Sequence, residues 1–187
     1  MRSATTPKRI RSVLISPSEP THVIAPLPIS ADAARRRAHY ASVRETIEAL
    51  LEDQTDWIAA MATVVCELHQ AFEYFHWTGF YRVAKKDLLL VGPYQGTHGC
   101  ISIAFSRGVC GAAARTKSTQ LVPDVNAFPD HIACSANTRS EVVVPVLNAA
   151  GELVAVLDVD SNALAAFTEI DARELETICA ELGRRFG

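Results

Sequence analysis

The strongest constraint on the fold is a pair of apolar runs, EVVVPVLN at 141–148 and LVAVLDVDS at 153–161, separated by only four residues. Both runs are rich in Val and Leu, residues that pack well in strands. So short a link, containing Gly151, allows an antiparallel hairpin, whereas a parallel pair needs a crossover of a dozen residues or more. The two runs are therefore predicted to be central strands of an antiparallel sheet.

The rest of the chain adds more hairpin strands and a few helices. HWTGFYRVA and DLLLVGPYQ are typical of two paired strands, CISIAF and TQLVP of short strands, and GVCGAAARTK of a short helix. Two helices are predicted before the strands, the first capped by Ser30 and the second beginning at residue 55 or 56, and a last one follows Thr168. Because hairpins dominate, we predict an α+β fold with a central antiparallel sheet and helices packed on one face.

The first thirty residues differ from the rest in composition. They hold five of the nine prolines and four basic residues before the first acidic one, Glu19. Residues 1–30 are therefore predicted to be a flexible N-terminal extension, and residues 31–187 a single domain. A targeting segment is the alternative, because a start with Arg and Ser but no acid is found in transit peptides.

Composition and charge limit the classes of partner and the cellular compartment that are expected for this chain. A formal net charge of −3 gives no reason to expect nucleic acid, and no apolar run approaches the length of a membrane span, so neither partner is expected. Five cysteines without a secretory signal do not form the even set of an extracellular disulfide framework. A reducing compartment is expected, and a cytoplasmic location with it.

Three cysteines lie outside the predicted apolar helices: Cys100, Cys110 and Cys134. Cys134 stands in DHIACSANTRSE, a polar segment, although free cysteines usually behave as small buried hydrophobes. The sequence is compatible with two roles for Cys134, a nucleophile or a metal ligand. A structural zinc site usually shows two short Cys/His spacings, and only the pair formed with His131 is present, so no metal site is predicted.

Two strands carry side chains that are unusual for a core. Asp158 and Asp160 interrupt an apolar strand two residues apart, which places both on one face, and Glu141 opens the neighbouring strand. Such carboxylates are expected to line a polar cavity, to attract a cation such as ammonium and to raise one another's pKa; exposed edge residues are the alternative. Trp77 and Tyr81 share a face of another strand and suit an S-methyl group or a cation, although core aromatics have the same spacing.

Five motifs occur together in a set order: WTGFY, VGPYQG, GVCG, DVNAFPDHIACSANTRSEVVVP and VLDVDS. With this order and spacing the chain resembles the free methionine-(R)-sulfoxide reductase family, a branch of the GAF-domain fold. The resemblance covers about residues 36–185 and implies a GAF-like catalytic domain at 31–187. Ser135 is a departure, since the family often has an aspartate after the loop cysteine.

The resemblance implies a role for each candidate residue. Cys134 would attack the sulfoxide sulfur, and Cys100 would be the main resolving cysteine, with Cys110 as a second participant in the disulfide relay. The remaining residues would bind free methionine-(R)-sulfoxide, the carboxylates also assisting proton transfer: Trp77, Tyr81, Glu141, Asp158 and Asp160.

The same resemblance implies an external reductant. Thioredoxin or another dithiol would reopen the enzyme's disulfide, no bound cofactor would be needed, and a homodimer would be compatible with the family. The main alternative is a non-catalytic GAF-type module that binds a small ligand or senses redox state, because one fold can serve many functions.

Overall fold

The structure is a computed structural model that describes residues 24–130 and 134–187. Four α-helices and six strands account for most of this part of the chain. A short 3-10 turn, Val125–Ala127, lies in the long loop before the fifth strand. In chain order the elements are α1 (Ala33–Leu50), α2 (Trp57–Ala71), β1 (Trp77–Lys85), β2 (Leu88–Gln95), β3 (Ser102–Ala104), α3 (Gly108–Thr116), β4 (Gln120–Val122), β5 (Ser140–Leu147), β6 (Leu153–Ser161) and α4 (Glu169–Phe186).

The six strands form one antiparallel sheet in the order β3-β2-β1-β6-β5-β4. The hairpin that the two Val-rich runs predict is present, and the pairing of β5 with β6 extends from Ser140 opposite Ser161 to Leu147 opposite Leu153. β1 and β6 pair although 67 residues of chain, from 86 to 152, separate them. The predicted α+β class and antiparallel sheet are confirmed.

Both faces of the sheet carry helices, which differs from the single helical face that we expected. α1, α2 and α4 enclose a large core against Phe80, Val144 and Leu157. α3 lies on the opposite face, where Val109 and its neighbours pack against a second apolar cluster. The alanine-rich sequence of α3 shows no face that assigns it to either side, and its position follows from the close approach of Gly111 to β3.

Helix ends follow local hydrogen bonding. Asp32, rather than the predicted Ser30, caps α1 by accepting from Arg35 N, and Asp56 caps α2 in the same way. Thr168 caps α4 in a reciprocal capping box with Asp171, as predicted. The error at α1 has a simple cause: both Ser and Asp can cap, and Asp32 is the residue placed to reach the N–H three positions on.

The packed domain begins before residue 31. Leu27 is only 5% exposed, and its backbone exchanges hydrogen bonds with Ala71 and Glu73. The carbonyl of Ile29 accepts from Arg36 Nη2 at 3.0 Å. Residues 24–30 are therefore part of the fold, although composition assigned them to the flexible extension; residues 1–23 lie outside the described part. No helix among the described residues is long and apolar enough to cross a membrane.

Candidate active site

Three carboxylates meet on the α3 side of the sheet because of strand register. Glu141 on β5 lies directly opposite Asp160 on β6, and Asp158 follows two residues away on the same face. β1 continues this row on the other side of β6, with Trp77 opposite Asp160 and Gly79 opposite Asp158. The predicted shared face is therefore present, and it is enclosed rather than an exposed edge, since Glu141 and Asp158 are both buried.

Burial and mutual repulsion keep protons on this cluster. Burial raises the pKa of Glu141 well above its ordinary value, with the charges of Asp158 and Asp160 adding to the effect. Burial also raises the pKa of Asp158 to about 6, and burial together with the Asp158 charge raises the pKa of Asp160. The cluster can therefore hold a proton at a pH where exposed carboxyl groups have lost theirs, as an acid catalyst requires.

One oxygen of the cluster is without a partner. Asp158 is 5% exposed, and its Oδ1 has no hydrogen-bond partner among the described residues. No Lys or Arg nitrogen of the described chain is paired with any of the three carboxylates. A buried, unpaired carboxylate oxygen is costly, so this position is suited to a donor or cation that a ligand would bring.

The two predicted aromatic residues lie beside the carboxylate cluster, on the α3 side of the sheet. The rings of Trp77 and Tyr81 stack with centroids 5.7 Å apart, and Trp77 Nε1 donates to the carbonyl of Thr97 at 2.9 Å. A Cβ at Gly99 would lie 2.9 Å from Tyr81 Oη and 3.1 Å from the Trp77 ring. Residues 97–99 thus lie directly over the aromatic pair, where only glycine fits at position 99.

A disulfide lies at the end of the same covering segment. Cys100 follows it and is joined by a disulfide to Cys134, with the two Cα atoms 5.2 Å apart. Both residues are half-buried. The loop cysteine that the sequence singled out is therefore in bonding distance of the cysteine that the resemblance paired with it. Their roles in catalysis remain predictions.

Cys110 lies deeper, in the first turn of α3. Its Sγ is 3.9 Å from Glu141 Oε1, and burial next to Asp158 and Glu141 raises the pKa of the thiol. Gly111 holds α3 in this place, because a Cβ there would be 2.7 Å from the carbonyl oxygen of Ala104. The positive φ of Gly108, 65°, lets the chain turn into the helix. Cys110 is thus a neutral thiol facing carboxyl groups.

A small pocket gathers these groups. Five of the eight predicted site residues line it: Cys110, Cys134, Glu141, Asp158 and Asp160. The first turn of α3 supplies Gly108 and Val109 to its wall, and Thr138 closes it from the loop side. The partner of Cys134, Cys100, packs on its apolar border with Trp77 and Tyr81.

Sequence reasoning missed one aromatic residue of the site. Tyr94 on β2 stacks on Trp77 with ring centroids 5.4 Å apart, and it pairs with Gly79 across the hairpin. The signal was available in principle, since a tyrosine opposite a glycine in a hairpin has room to lean over that glycine. The apolar stretches around the two helical cysteines, Cys66 and Cys179, predict that both are core residues. Cys179 is buried, whereas Cys66 is only half-buried and accepts from Gln70 Nε2.

Comparison with protein families agrees with this architecture. The GAF domain family matches residues 52–185. GAF domain-containing protein A of Dictyostelium discoideum is 42% identical over 143 residues, which are 76% of this chain and 89% of the relative. Free methionine-R-sulfoxide reductase of Saccharomyces cerevisiae is 37% identical over 137 residues, 70% of this chain and 76% of the relative.

A solved structure extends the similarity to a protein with ligand. Free methionine-R-sulfoxide reductase from Neisseria meningitidis, solved in complex with its substrate, is 43% identical. The alignment covers 87% of this chain and 95% of that one, with a TM-score of 0.77.

Proposed function

This chain belongs to the free methionine-R-sulfoxide reductase family of GAF domain proteins, and on that premise we propose that it reduces free L-methionine-(R)-S-oxide to L-methionine. The observation that carries the proposal is the placement of Cys134 and the proton-holding carboxyl groups around one cavity. A sulfur nucleophile and an acid are the two groups that sulfoxide reduction needs. A binding module has no use for both.

The chemical step transfers the sulfoxide oxygen to cysteine. The Cys134 thiol attacks the sulfoxide sulfur while a carboxyl group of the cluster protonates the sulfoxide oxygen, which would otherwise leave poorly. A transient bond between the two sulfurs forms in this attack. It breaks together with the S–O bond as the hydroxyl group passes to the Cys134 sulfur, so that methionine is released and Cys134 is left as a sulfenic acid. Glu141 suits the acid role because burial and two neighbouring carboxylates raise its pKa.

The resolving step needs only a second thiol. Cys100 attacks the sulfenic sulfur of Cys134, a disulfide forms and water leaves. The Cα separation of 5.2 Å supports this pairing, because it is within the range that a disulfide spans. Cys110 is the second candidate partner, although a buried thiol of raised pKa attacks slowly in its neutral form.

Selection of the free amino acid follows from charge. Free methionine sulfoxide carries an ammonium group, which a residue inside a polypeptide lacks, and the unpaired Oδ1 of Asp158 together with Asp160 supplies acceptors for it. The N–H groups at the start of α3, near Gly108, suit the substrate carboxylate. Trp77 and Tyr81 suit the S-methyl end.

Turnover requires an external dithiol to reopen the disulfide by exchange. We propose thioredoxin for this role, in a reducing compartment such as the cytoplasm, with no bound cofactor. Ile101 is 78% exposed and adjoins Cys100, so it offers a protein dithiol an apolar contact next to the disulfide.

A single-turnover experiment tests the proposal. The reduced enzyme is mixed with free methionine-(R)-sulfoxide without reductant, and methionine and thiols are counted. We expect about one methionine per enzyme and a Cys100–Cys134 disulfide in peptide mapping. The (S) epimer and a peptide-bound sulfoxide are the comparison substrates, and equal reduction of the peptide-bound form would contradict selection by the ammonium group.

A further inference from the structure

Cys110 is not needed for the two chemical steps just described, yet it faces the deepest part of the cluster. Its Sγ, one oxygen of Glu141 and one oxygen of Asp158 all lie within 4.8 Å of one another, and all three residues are buried. The carboxyl group of Asp158 also carries the oxygen that has no hydrogen-bond partner among the described residues. A thiol among carboxyl groups, with one acceptor unused, is the donor set of a cation site.

The donor spacing fits a small tetrahedral ion. A zinc ion about 2.3 Å from sulfur and about 2.1 Å from oxygen, at a tetrahedral angle, separates the two donors by about 3.6 Å. Cys110 Sγ and Glu141 Oε1 are 3.9 Å apart, so a rotamer adjustment of a few tenths of an ångström brings them to that distance.

Charge and donor type favour the same ion. The two buried carboxyl groups, Glu141 and Asp158, have no basic partner among the described residues and repel one another, and one divalent cation that displaces their protons removes that repulsion. A thiolate donor favours zinc over magnesium or calcium, which prefer oxygen alone. Three protein ligands leave a fourth position for water, as in open zinc sites.

We propose that Cys110, Glu141 and Asp158 bind one zinc ion in the position that the substrate's ammonium group would take. Zinc coordinates the three side chains after the Cys110 thiol loses its proton to solvent, and no electron is transferred. The ion is an inhibitor rather than a resident cofactor, because it occupies carboxylates that turnover requires and removes the protons they hold.

The binding test uses the oxidised protein, in which the Cys100–Cys134 disulfide takes both sulfurs out of competition. Zinc binding is measured by calorimetry, and Co²⁺ serves as an optical probe because thiolate ligation gives a near-ultraviolet charge-transfer band. We expect one ion per chain and a thiolate band. Cys110→Ser should abolish the band, and Asp158→Asn should weaken zinc binding by about 10- to 100-fold.

Cys66→Ser is the matched control, because Cys66 is a free, half-buried cysteine on α2, away from the cavity. It should bind zinc and cobalt like the unmodified protein. Absence of binding to the unmodified protein, a band that disappears with Cys66, or equal zinc affinity in both site variants would overturn the proposal. Circular dichroism checks that each variant is folded. If Cys110→Ser does not fold, Asp158→Asn tests the site independently.

The outcome is separable from that of the proposed function, because metal binding is measured without substrate. Zinc binding in a protein that does not turn over methionine sulfoxide would leave the metal site standing and overturn the reductase. Turnover without zinc binding would overturn the metal site and leave the reductase standing. In a protein that does both, added zinc should raise the apparent KM, and an unchanged KM would contradict the shared position.

Discussion

At the scale of single residues, the side chain of Asp158 is unfavourable for folding and favourable for ligand binding. Its side chain is buried, one oxygen has no partner in the described chain, and burial raises its pKa to about 6. A residue selected for stability alone would not be a carboxylate there. The arrangement is understandable if a bound cation supplies the missing interaction, because stability is then given up in the free protein and recovered on binding.

This conflict predicts how stability depends on pH. Because the pKa of Asp158 is raised from 3.8 to about 6, the folded protein holds this proton more tightly than the unfolded chain. The contribution of this proton to the free energy of unfolding is complete below the ordinary pKa of Asp158. It is lost as the pH rises through about 6, which lowers the free energy of unfolding by about 3 kcal/mol at neutral pH. Asp158→Asn should flatten the denaturant-derived free energy of unfolding between about pH 4 and about pH 7. A profile parallel to that of an exposed control, Asp53→Asn, would contradict the burial cost.

Asp160 is predicted to act in substrate recognition. It is half-buried beside Trp77 at the cavity wall, where a substrate ammonium group can reach it. Asp160→Asn removes the charge and keeps the shape, so the KM for the free sulfoxide should rise by about 10- to 100-fold, the value of a charge-assisted hydrogen bond. Steady-state kinetics with Asp53→Asn as control measures this. An unchanged KM would mean that Asp160 does not bind the ammonium group.

Much of the site's residue list was predictable because strand periodicity assigns alternate side chains to one face. Asp158 and Asp160 were assigned to one face on that ground, Glu141 was added because it opens the neighbouring strand, and the three lie together. Tyr94 was missed because its contact with Trp77 depends on the register of the β1–β2 hairpin. The burial of Cys110 depends on where α3 packs, which periodicity does not determine.

At the scale of elements, a glycine in β1 leaves the space in which the rings of Trp77 and Tyr94 stack. A Cβ at Gly79 would be 2.5 Å from Trp77 Cη2 and 2.5 Å from Tyr94 Cβ, so the indole lies flat over the strand only because that side chain is missing. One face of β1, with Phe80, thus packs in the core, and on the other face position 79 must lack a side chain.

Gly79→Ala should therefore displace the Trp77 ring while the sheet still forms. The expected results are a shifted tryptophan emission and a raised KM, with a free energy of unfolding lowered by about 1–3 kcal/mol from overpacking. Gly92→Ala on β2 is the matched control, because its Cβ would lie 3.0 Å from the carbonyl oxygen of Phe80 and 3.3 Å from Arg82 Cγ, neither of which belongs to the aromatic stack. Unchanged emission and KM in Gly79→Ala would contradict the packing described.

Elements were predicted more accurately than their packing. Helices α1, α2 and α4 and the hairpin of β5 and β6 follow from helix formers, capping residues and apolar period, and α3 follows from its alanines; these signals are local in sequence. The side of the sheet that α3 occupies follows from contacts of Gly111 with residues before it in β3, and the docking of Leu27 follows from a bridge to Phe72. Neither contact leaves a periodic trace in the sequence.

At the scale of the whole molecule, one buried ion pair joins the ends of the domain. Arg36 on α1 and Asp171 on α4 are 2.7 Å apart, and both are almost fully buried. Asp171 also accepts from the hydroxyl groups of Tyr40 and Tyr74, while Arg36 reaches the carbonyl of Ile29. The network ties the first packed residues to the last helix on the face of the sheet away from the cavity.

Breaking this pair should affect folding more than chemistry. Asp171→Asn leaves the Arg36 charge buried without its counter-ion, which should lower the free energy of unfolding by about 3–5 kcal/mol. Glu169→Gln, at an exposed position of the same first turn of α4, should cost about 1 kcal/mol or less. Denaturant unfolding measures both. Equal losses would contradict the account of the buried pair, as would a KM change in a folded Asp171→Asn enzyme.

The central claim is that Cys134 reduces a free sulfoxide, and steady-state turnover tests it most directly. Methionine formation from free methionine-(R)-sulfoxide with dithiothreitol is compared in the unmodified enzyme, Cys134→Ser and the half-buried control Cys66→Ser. The account predicts turnover that is lost in Cys134→Ser and retained in Cys66→Ser. No turnover by the unmodified enzyme, or turnover that survives in Cys134→Ser, would contradict it.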